Sequence, residues 1–309
     1  MAAGARKPFR RDSPAYTPPA MDGAQLSITM LGSGSSGNAA IVQFGSLTRR
    51  VVLLDAGLSP RKVREGLLHR CPPGTELGAI LLTHLDGDHW HRGWSAQLAR
   101  RGVPVLLRAA HFAGALALGI PRACLHVIEG EAALGEHMRV RAVRTPHDED
   151  GSTAFIIDTP AGRIGWATDL GAVPDELIEA LTGVDLLGLE CNYDEALQRE
   201  SPRPWHLKQR IMGGHGHLSN DQAMEALDRI RAVAEPAAIG LLHLSRDCNC
   251  PHLVSQLLAS RHADLADRTV IARRSEASPA LRFTRSSEPL ETAGHPAPAR
   301  AWPATRVPA

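Results

Sequence analysis

Short apolar runs alternate with amphipathic segments through most of this chain. The apolar runs are rich in Val, Ile and Leu, which is typical of strands, and they predict strands at residues 25–31, 39–44, 50–54, 78–82, 103–107, 139–143, 153–158, 163–167, 184–189, 237–242 and 269–272. Segments with helical periodicity lie between them and predict helices at residues 61–70, 90–101, 109–118, 174–181, 220–234 and 251–261. Strands interleaved with helices in this way predict a layered α/β domain.

Both ends of the chain differ from this patterned middle. Residues 1–24 are rich in Ala, Pro and Arg without periodicity, and residues 276–309 are similarly rich in Pro, Ala, Ser and Arg. Such composition predicts a disordered leader and a disordered tail. Because no linker or internal repeat interrupts residues 25–275, we expect one domain of roughly 250 residues there. Met21 stands just before the first predicted strand, so whether residues 1–24 belong to the native protein is left open.

Composition and charge narrow the classes of protein to consider. The 309 residues are 43% hydrophobic, which is enough to bury a sizeable core. The net charge of +1 provides no global basic footprint for nucleic acid, and it excludes no nucleic-acid substrate either. The five cysteines contain no CxxC pair, which argues against a disulfide scaffold and fits a reducing compartment. Neither a secretory signal nor a membrane-length apolar run is present, so we expect a cytoplasmic protein without membrane contact.

The strand predicted at 78–82 is followed by an unusual concentration of metal-competent side chains. Residues 83–89 have the sequence Thr-His-Leu-Asp-Gly-Asp-His. The side chains able to bind a metal are those of His84, Asp86, Asp88 and His89. Their desolvation and crowded charge at the end of a buried strand would cost stability unless a cation compensated them. We therefore interpret this loop as half of a metal site.

Three further metal-competent residues, His147, Asp169 and His243, each follow the end of an apolar strand. Taken singly, His147 resembles a solvated loop histidine, Asp169 a turn or cap residue, and His243 a hydrogen-bonded core histidine. Open α/β sheets, however, gather their sites at the carboxyl ends of strands. The joint placement of these residues with the loop at 83–89 favours a single metal centre.

A glycine-rich segment follows the first predicted strand. Residues 32–38 match the pattern GxGxxG, and Asp55 stands 18 residues beyond Gly37. A dinucleotide site needs a helix N-terminus after the glycines to hold the pyrophosphate, whereas residues 39–44 have the pattern of a strand. We therefore expect a loop between two strands that lines a site, and we expect Asp55 to be the partner of a metal-binding histidine.

With these features established, residues 25–275 resemble the metallo-β-lactamase-fold hydrolases. The signature of that family is His-x-His-x-Asp-His, then a lone His, a bridging Asp and a last His. Further segments resemble its YycJ/WalJ branch, namely residues 31–38, Asn192-Tyr193-Asp194, residues 216–220 and His243-Leu244-Ser245. The resemblance implies a four-layer αββα sandwich of the α/β class. For this branch it also implies DNA 5′-exonuclease activity, with ribonuclease Z and phosphonate-pathway phosphodiesterases as wider relatives.

The resemblance also implies which residues form the site. His84, Asp86 and His147 are expected to hold one divalent ion, Asp88, His89 and His243 the other, and Asp169 to bridge both. Asp88 is further expected to orient the attacking hydroxide, and His217 to bind phosphate or protonate the leaving group, unless His217 only supports the start of the helix at 220. The expected substrate contacts are Ser35, Asn38 and Asn220. Asn192 and Asp194 are expected either to orient metal ligands or to form a plain turn.

One departure from the family pattern concerns the metal itself. The family has histidine at the position of Asp86, and a carboxylate there moves the preference from zinc toward manganese or iron. A di-iron redox centre is an alternative that a coloured protein would reveal. Two divalent ions, zinc or else manganese or iron, are therefore the expected cofactors.

The expected activity is metal-dependent hydrolysis of a phosphodiester by a metal-activated hydroxide, with nucleic acid or a small phosphodiester as substrate. A thioester or lactone hydrolase of the same fold is a second hypothesis, because the same centre can activate water toward a carbonyl. The polar donors of the Gly-His-Leu-Ser-Asn segment favour phosphate. A non-catalytic metal-fold binding protein is a third hypothesis, because Asp86 departs from the pattern, and metal content separates it from the others. A homodimer is considered because relatives often pair.

Overall fold

Two mixed β-sheets of seven strands each form the frame of the described part of the protein. The computed structural model describes residues 25–45 and 49–285. The first sheet contains β1 (Gln25–Gly32), β2 (Ala39–Phe44), β3 (Arg50–Leu54), β4 (Glu76–Leu81), β5 (Val105–Leu107), β6 (Leu125–Val127) and β14 (Leu281–Thr284). The second contains β7 (Gly130–Ala133), β8 (Arg139–Thr145), β9 (Ser152–Thr159), β10 (Gly162–Ala167), β11 (Leu186–Glu190), β12 (Ala238–Leu242) and β13 (Thr269–Ile271).

Strand direction brings several strand ends to the same edge. In the first sheet, β3, β4, β5 and β6 are parallel, while β1 and β14 extend the sheet with antiparallel pairs. In the second sheet, β10 to β13 are parallel, and β8 runs in their direction because two antiparallel pairings through β9 separate it from β10. The carboxyl ends of β8, β10, β11 and β12 therefore meet, which is the usual place for a site in such sheets.

Helices pack on the outer faces of both sheets, and the described part of the chain contains eight α-helices. They are α1 (Pro60–Arg70), α2 (Trp94–Arg101), α3 (Phe112–Ala117), α4 (Asp175–Ala180), α5 (Glu195–Glu200), α6 (Trp205–Met212), α7 (Asn220–Arg231) and α8 (Pro251–Arg261). The start of α7 is encoded locally, because Ser219 and Gln222 form a reciprocal capping box. Among the described residues, no helix is both long and apolar enough to cross a bilayer.

The apolar side chains form three layers of core. The middle layer joins the two sheets, with Ile28 and Met30 of β1 in the same cluster as Phe155 of β9. One outer layer packs α1 and α2 against the first sheet, and the other packs α4, α7 and α8 against the second. This arrangement confirms the expected four-layer αββα sandwich.

The glycine-rich segment is a connection between antiparallel strands, as expected. Residues 33–38 join β1 to β2, and no helix follows them. Gly34 and Gly37 have φ angles of 137° and 135°, which a side chain would rarely allow. A Cβ atom at Gly37 would also lie 2.9 Å from the carbonyl oxygen of Gly57. The glycines therefore serve close packing of this loop.

Several elements differ from the sequence predictions. The strands β6, β7 and β14 and the helices α5 and α6 were not predicted, and the helix expected at 90–101 begins only at Trp94. Residues 90–93 do not join the helix, because the backbone N–H of Trp90 donates to the Asp86 carbonyl oxygen and Trp90 forms a β-bridge with Ala56. The boundary expected at residue 275 falls short of β14, whose stability comes from its distant pairing with β1. Residues 1–24 and 286–309, predicted to be disordered, lie outside the described residues.

Candidate metal centre

Strands of both sheets end at the candidate metal centre. Asp55 follows β3, the segment 83–89 follows β4, His147 follows β8, Asp169 follows β10 and His243 follows β12. Four residues here have positive φ angles without being glycine, namely Asp55 (59°), Asp148 (42°), Asp169 (56°) and His243 (58°). Left-handed backbone costs such residues about 1–3 kcal/mol each and persists where the surroundings hold it in place. The concentration of four such residues around the candidate metal centre is typical of a functional site.

The described residues contain four overlapping groups of potential ligand atoms, two of which meet at Asp169. His84, His147 and Asp169 form the first group, and Asp88, His89 and His243 form the second, with the ligand atoms of each group within 4.8 Å of one another. A third group joins Asp169 and His243 to His217, and a fourth joins Asp86, His147 and Asp148. Asp169 Oδ2 lies 3.0 Å from His89 Nε2 and 2.8 Å from His243 Nδ1, and Asp169 Oδ1 lies 4.0 Å from His147 Nε2. The carboxylate of Asp169 therefore lies next to histidines of both of the first two groups.

The chemistry of this donor set fits a divalent cation. His84 Nε2 is buried and has no hydrogen-bond partner among the described residues. Burial, reinforced by His89, lowers the pKa of His84 well below its ordinary value, so the imidazole is neutral and able to act as a ligand. Burial would likewise lower the pKa of His89, but the carboxylates of Asp169 and Asp55 outweigh it and raise that pKa well above its ordinary value. The same negative field favours a cation.

Hydrogen bonds from neighbouring residues fix His89 in place. Asp55 Oδ2 lies 2.9 Å from His89 Nδ1, and Asp55 Oδ1 accepts both the backbone N–H and the hydroxyl of Thr83 at 2.9 Å. Asp55 is therefore the hydrogen-bond partner of His89, a candidate metal ligand. A second support is Asn38, whose Nδ2 lies 3.2 Å from the Asp88 carbonyl oxygen and 2.9 Å from His89 Nε2.

Hydrogen bonds from loops of both sheets hold His147 and His243 in place. His147 Nδ1 lies 2.7 Å from the carbonyl oxygen of Gly216, which leaves Nε2 directed at the ligand group. The backbone N–H of His243 donates to Ser33 Oγ at 2.9 Å, and Asn192 Nδ2 donates to the His243 carbonyl oxygen at 2.6 Å. Such supporting contacts orient ligands before any ion binds.

Asp86 lies at the margin of the centre. Its Oδ2 is 3.8 Å from His84 Nε2, but its side chain is 55% exposed. The residues with which it forms a potential ligand group are His147 and Asp148 rather than His84 and Asp169. Partial burial of the Asp86 carboxylate raises its pKa. The aspartate is thus near the first group without completing it.

His217 lies beside the centre and contacts the buried carboxylate of Glu190. The sequence patterns did not predict a role for Glu190. His217 Nδ1 lies 2.8 Å from Glu190 Oε1 and 3.6 Å from Asp169 Oδ1. Glu190 is fully buried, and its Oε2 accepts the backbone N–H groups of Leu170 at 2.8 Å and Leu218 at 3.1 Å. Burial alone would lower the pKa of His217, but Glu190 raises it to about 9. Glu190 ends β11, so the strand-end rule that found the other residues could also have found it.

The residues expected to contact substrate have different surroundings. Ser35 is exposed in the turn between β1 and β2, where a ligand could reach it. Asn38 is 5% exposed and supports Asp88 and His89, as described above. Asn220 is buried, and its Oδ1 accepts from Asn249 Nδ2 at 2.7 Å and from Cys191 Sγ at 3.1 Å. These contacts give Asn220 an internal role at the start of α7, so the geometry does not support the expected substrate contact there.

Comparison with known proteins identifies the family. A family model described as "Beta-lactamase superfamily domain" matches residues 50–243, which is more than half of the chain. The chain belongs to the beta-lactamase superfamily. The family assignment expected from the motifs is therefore confirmed, and the matched segment runs from β3 to the last of the candidate ligands, His243.

Within this superfamily, two similar proteins are named as exonucleases. Exodeoxyribonuclease WalJ of Streptococcus pneumoniae is 27% identical over 241 residues, which cover 76% of this chain and 87% of WalJ. Exodeoxyribonuclease YycJ of Bacillus anthracis is 27% identical over 248 residues, covering 76% of this chain and 90% of YycJ. Among solved structures, the metallo-beta-lactamase fold protein YhfI from Bacillus subtilis aligns with a TM-score of 0.60 at 16% identity, covering 82% of this chain and 98% of YhfI. This structural likeness establishes the fold.

Proposed function

We propose that this protein is a metal-dependent phosphodiesterase that hydrolyses nucleic acid as a 5′-exonuclease. The observation that carries the proposal is the position of His217, whose Nδ1 lies 2.8 Å from Glu190 Oε1 and 3.6 Å from Oδ1 of the shared carboxylate of Asp169. A proton donor beside a two-metal site suits a reaction whose leaving group is a poor alkoxide. The similarity to two proteins named as exodeoxyribonucleases supports a nucleic-acid substrate.

The two ligand groups would hold the metal ions. His84, His147 and Asp169 would bind one ion, and Asp88, His89 and His243 would bind a second that shares Asp169. Divalent ions bound there supply an activated water and neutralise charge on phosphate oxygens. The bonds from Asp55, Ser33, Asn192 and the Gly216 carbonyl hold the ligands in place, so little reorganisation would accompany binding.

Two side chains of this site act on the substrate in the proposed mechanism. The side chain of Asp88 is 21% exposed, and its Oδ2 lies 3.4 Å from His243 Nε2, so it can both bind metal and orient a water molecule from the open side. Glu190 engages Nδ1 of His217, which leaves Nε2 to donate a proton to the departing oxygen. Glu190 thus positions His217, and its carboxylate favours the protonated form of the imidazole.

The proposal includes a preference for manganese or iron over zinc at the first group. Asp86 is close enough to His84 to approach a bound ion, and a carboxylate oxygen favours these harder ions more than an imidazole does. Its exposure also leaves it able to change position when an ion binds.

The proposal is tested by incubating the full chain with 5′-phosphorylated duplex DNA and with a panel of thioesters and lactones, each in Mn²⁺ and in Zn²⁺. We expect metal-dependent release of nucleotides from the DNA and no comparable turnover of the carbonyl substrates. The His217→Asn variant is expected to lose DNA hydrolysis, whereas His215→Asn, an exposed histidine two residues away, is the matched control and is expected to retain it. Absence of metal-dependent hydrolysis of any phosphodiester would refute the proposal. Thioester or lactone turnover faster than DNA hydrolysis would identify the protein as a hydrolase of carbonyl substrates instead.

A further inference from the structure

We propose that the exposed face of α6 is a binding surface for a nucleic-acid strand, on which a base stacks against Trp205. This inference rests on the proposed function, because it places the strand that leads into the metal centre. The face is defined by Trp205, His206, Gln209 and Arg210, which are all exposed. The half-buried side of the helix is formed by Leu207, Lys208, Ile211 and Met212.

The position of α6 spans the rim of the centre. Just before the helix, Arg203 donates to Ser245 Oγ at 3.3 Å, two residues after His243. Near the other end, Arg210 Nε donates to Asp148 Oδ1 at 2.8 Å, next to His147. A helix of eight residues is about 12 Å long, so α6 runs from the loop of one ligand group to the loop of the other.

The helix is also tied to the proposed proton donor. The backbone N–H of His217 donates to the Ile211 carbonyl oxygen at 3.0 Å. A Cβ atom at Gly216 would lie 2.5 Å from that same carbonyl oxygen, so the chain between α6 and His217 packs closely. A strand bound on α6 would therefore lie in a fixed relation to the reacting phosphate.

The chemistry of the exposed face matches a polyanion with aromatic bases. Trp205 is 68% exposed and is the only aromatic residue among the large hydrophobic side chains exposed in the described part of the chain. None of the eight residues of α6 is buried, and none is acidic. Lys208 has no carboxylate within ion-pair distance among the described residues and donates to the Arg199 carbonyl oxygen instead. An exposed indole is the stacking platform on which proteins bind single strands without sequence preference, and Arg210, whose side chain is 57% exposed although it is paired with Asp148, adds a cation to the same face.

The test measures binding of a short fluorescein-labelled single-stranded DNA to the full chain by anisotropy, with Mn²⁺ present and with His217→Asn as background so that the DNA stays intact. We expect Trp205→Ala to weaken binding about tenfold, which is about 1.4 kcal/mol and typical of one stacked base. Trp205→Phe is expected to retain most of the affinity, since a phenyl ring still stacks. Leu68→Ala, which removes a hydrophobic residue of 69% exposure from α1, is the matched control and is expected to change nothing.

Turnover of bis(p-nitrophenyl) phosphate by Trp205→Ala in the otherwise native chain separates this inference from the proposed function. We expect unchanged turnover, because that substrate is too small to reach from the centre to α6. Unchanged DNA affinity in Trp205→Ala would overturn the inference, as would an equal loss in Trp205→Phe. A change of oligomeric state in Trp205→Ala with unaltered DNA binding would also overturn it and would assign the face to a second copy of the chain. If the native chain hydrolyses no phosphodiester but binds DNA in a Trp205-dependent way, the proposed activity is refuted and the binding surface is supported.

Discussion

Replacing Glu190 by glutamine should disable His217 while preserving the shape of the site. Two backbone N–H groups donate to Glu190 Oε2, so the amide oxygen of glutamine must occupy that position. The amide nitrogen then faces His217 Nδ1, which can accept its hydrogen only when it carries no proton. The variant therefore favours the neutral form of the His217 imidazole over the protonated form.

The magnitude follows from the environment of His217. The rise of its pKa from the ordinary value of about 6.5 to about 9 corresponds to roughly 3 kcal/mol in favour of the protonated form. Without the carboxylate, burial is the main remaining influence, and it lowers the pKa. General acid catalysis contributes about 10²–10⁴ in rate, so we expect hydrolysis of DNA by Glu190→Gln to fall at least ~100-fold. The loss of a charged hydrogen bond should also lower the free energy of unfolding by about 1–3 kcal/mol.

The decisive assay compares leaving groups. DNA releases an alkoxide that needs a proton, whereas bis(p-nitrophenyl) phosphate releases an aryl oxide that departs without one. We expect Glu190→Gln to lose far more activity on DNA than on the aryl ester, and the double variant with His217→Asn to be no worse than His217→Asn alone. Equal losses on both substrates, with normal metal content, would refute the assignment of Glu190 and His217 as a proton-donating pair.

The remaining predictions concern the metal, the packing around it and pH. Asp86→His should raise the ratio of zinc to manganese bound after loading with equal amounts of both, measured by elemental analysis, and an unchanged ratio would contradict a ligand role for Asp86. Gly57→Ala would place a Cβ atom 1.7 Å from the carbonyl oxygen of Asp88, so we expect at least about 1–3 kcal/mol of destabilisation in chemical unfolding, whereas Gly87→Ala, which meets no atom within 4 Å, should cost little. Metal removal by a chelator should lower the melting temperature, because binding to the folded state stabilises it, and an unchanged temperature would argue for a centre that binds no ion. In the metal-free protein, the raised pKa of His217 contributes stability that is complete below about pH 6.5 and is lost as the pH rises through about 9. The stability advantage of the native chain over Glu190→Gln should therefore shrink across that range, and a constant difference would contradict the assignment.

The strand-end pattern located most of the candidate site before any tertiary contact was known. Apolar runs that stop at His147, Asp169 or His243 are local features, and parallel strands place their ends at a common edge whatever the details of packing. The long strands and helices were predictable for the same reason, since their periodicity reflects a face that is buried. Short elements could not be predicted in this way, because they contain too few residues to show a periodicity. The strand β14 has two inward residues and depends on pairing with β1, more than two hundred positions earlier in the chain.

What the sequence by itself determined is therefore the fold class and which metal-competent side chains stand at the strand ends. Only the tertiary structure decided how they are grouped, because distances between residues far apart in the chain depend on how the two sheets face each other. It separated Asp86 from the group of His84 and placed Asn220 in an internal network. It also joined Glu190 to His217, 27 positions apart, through a contact that no local pattern encodes. Local patterns specify which side chains stand at strand ends, whereas the packing of the sheets specifies which of them meet.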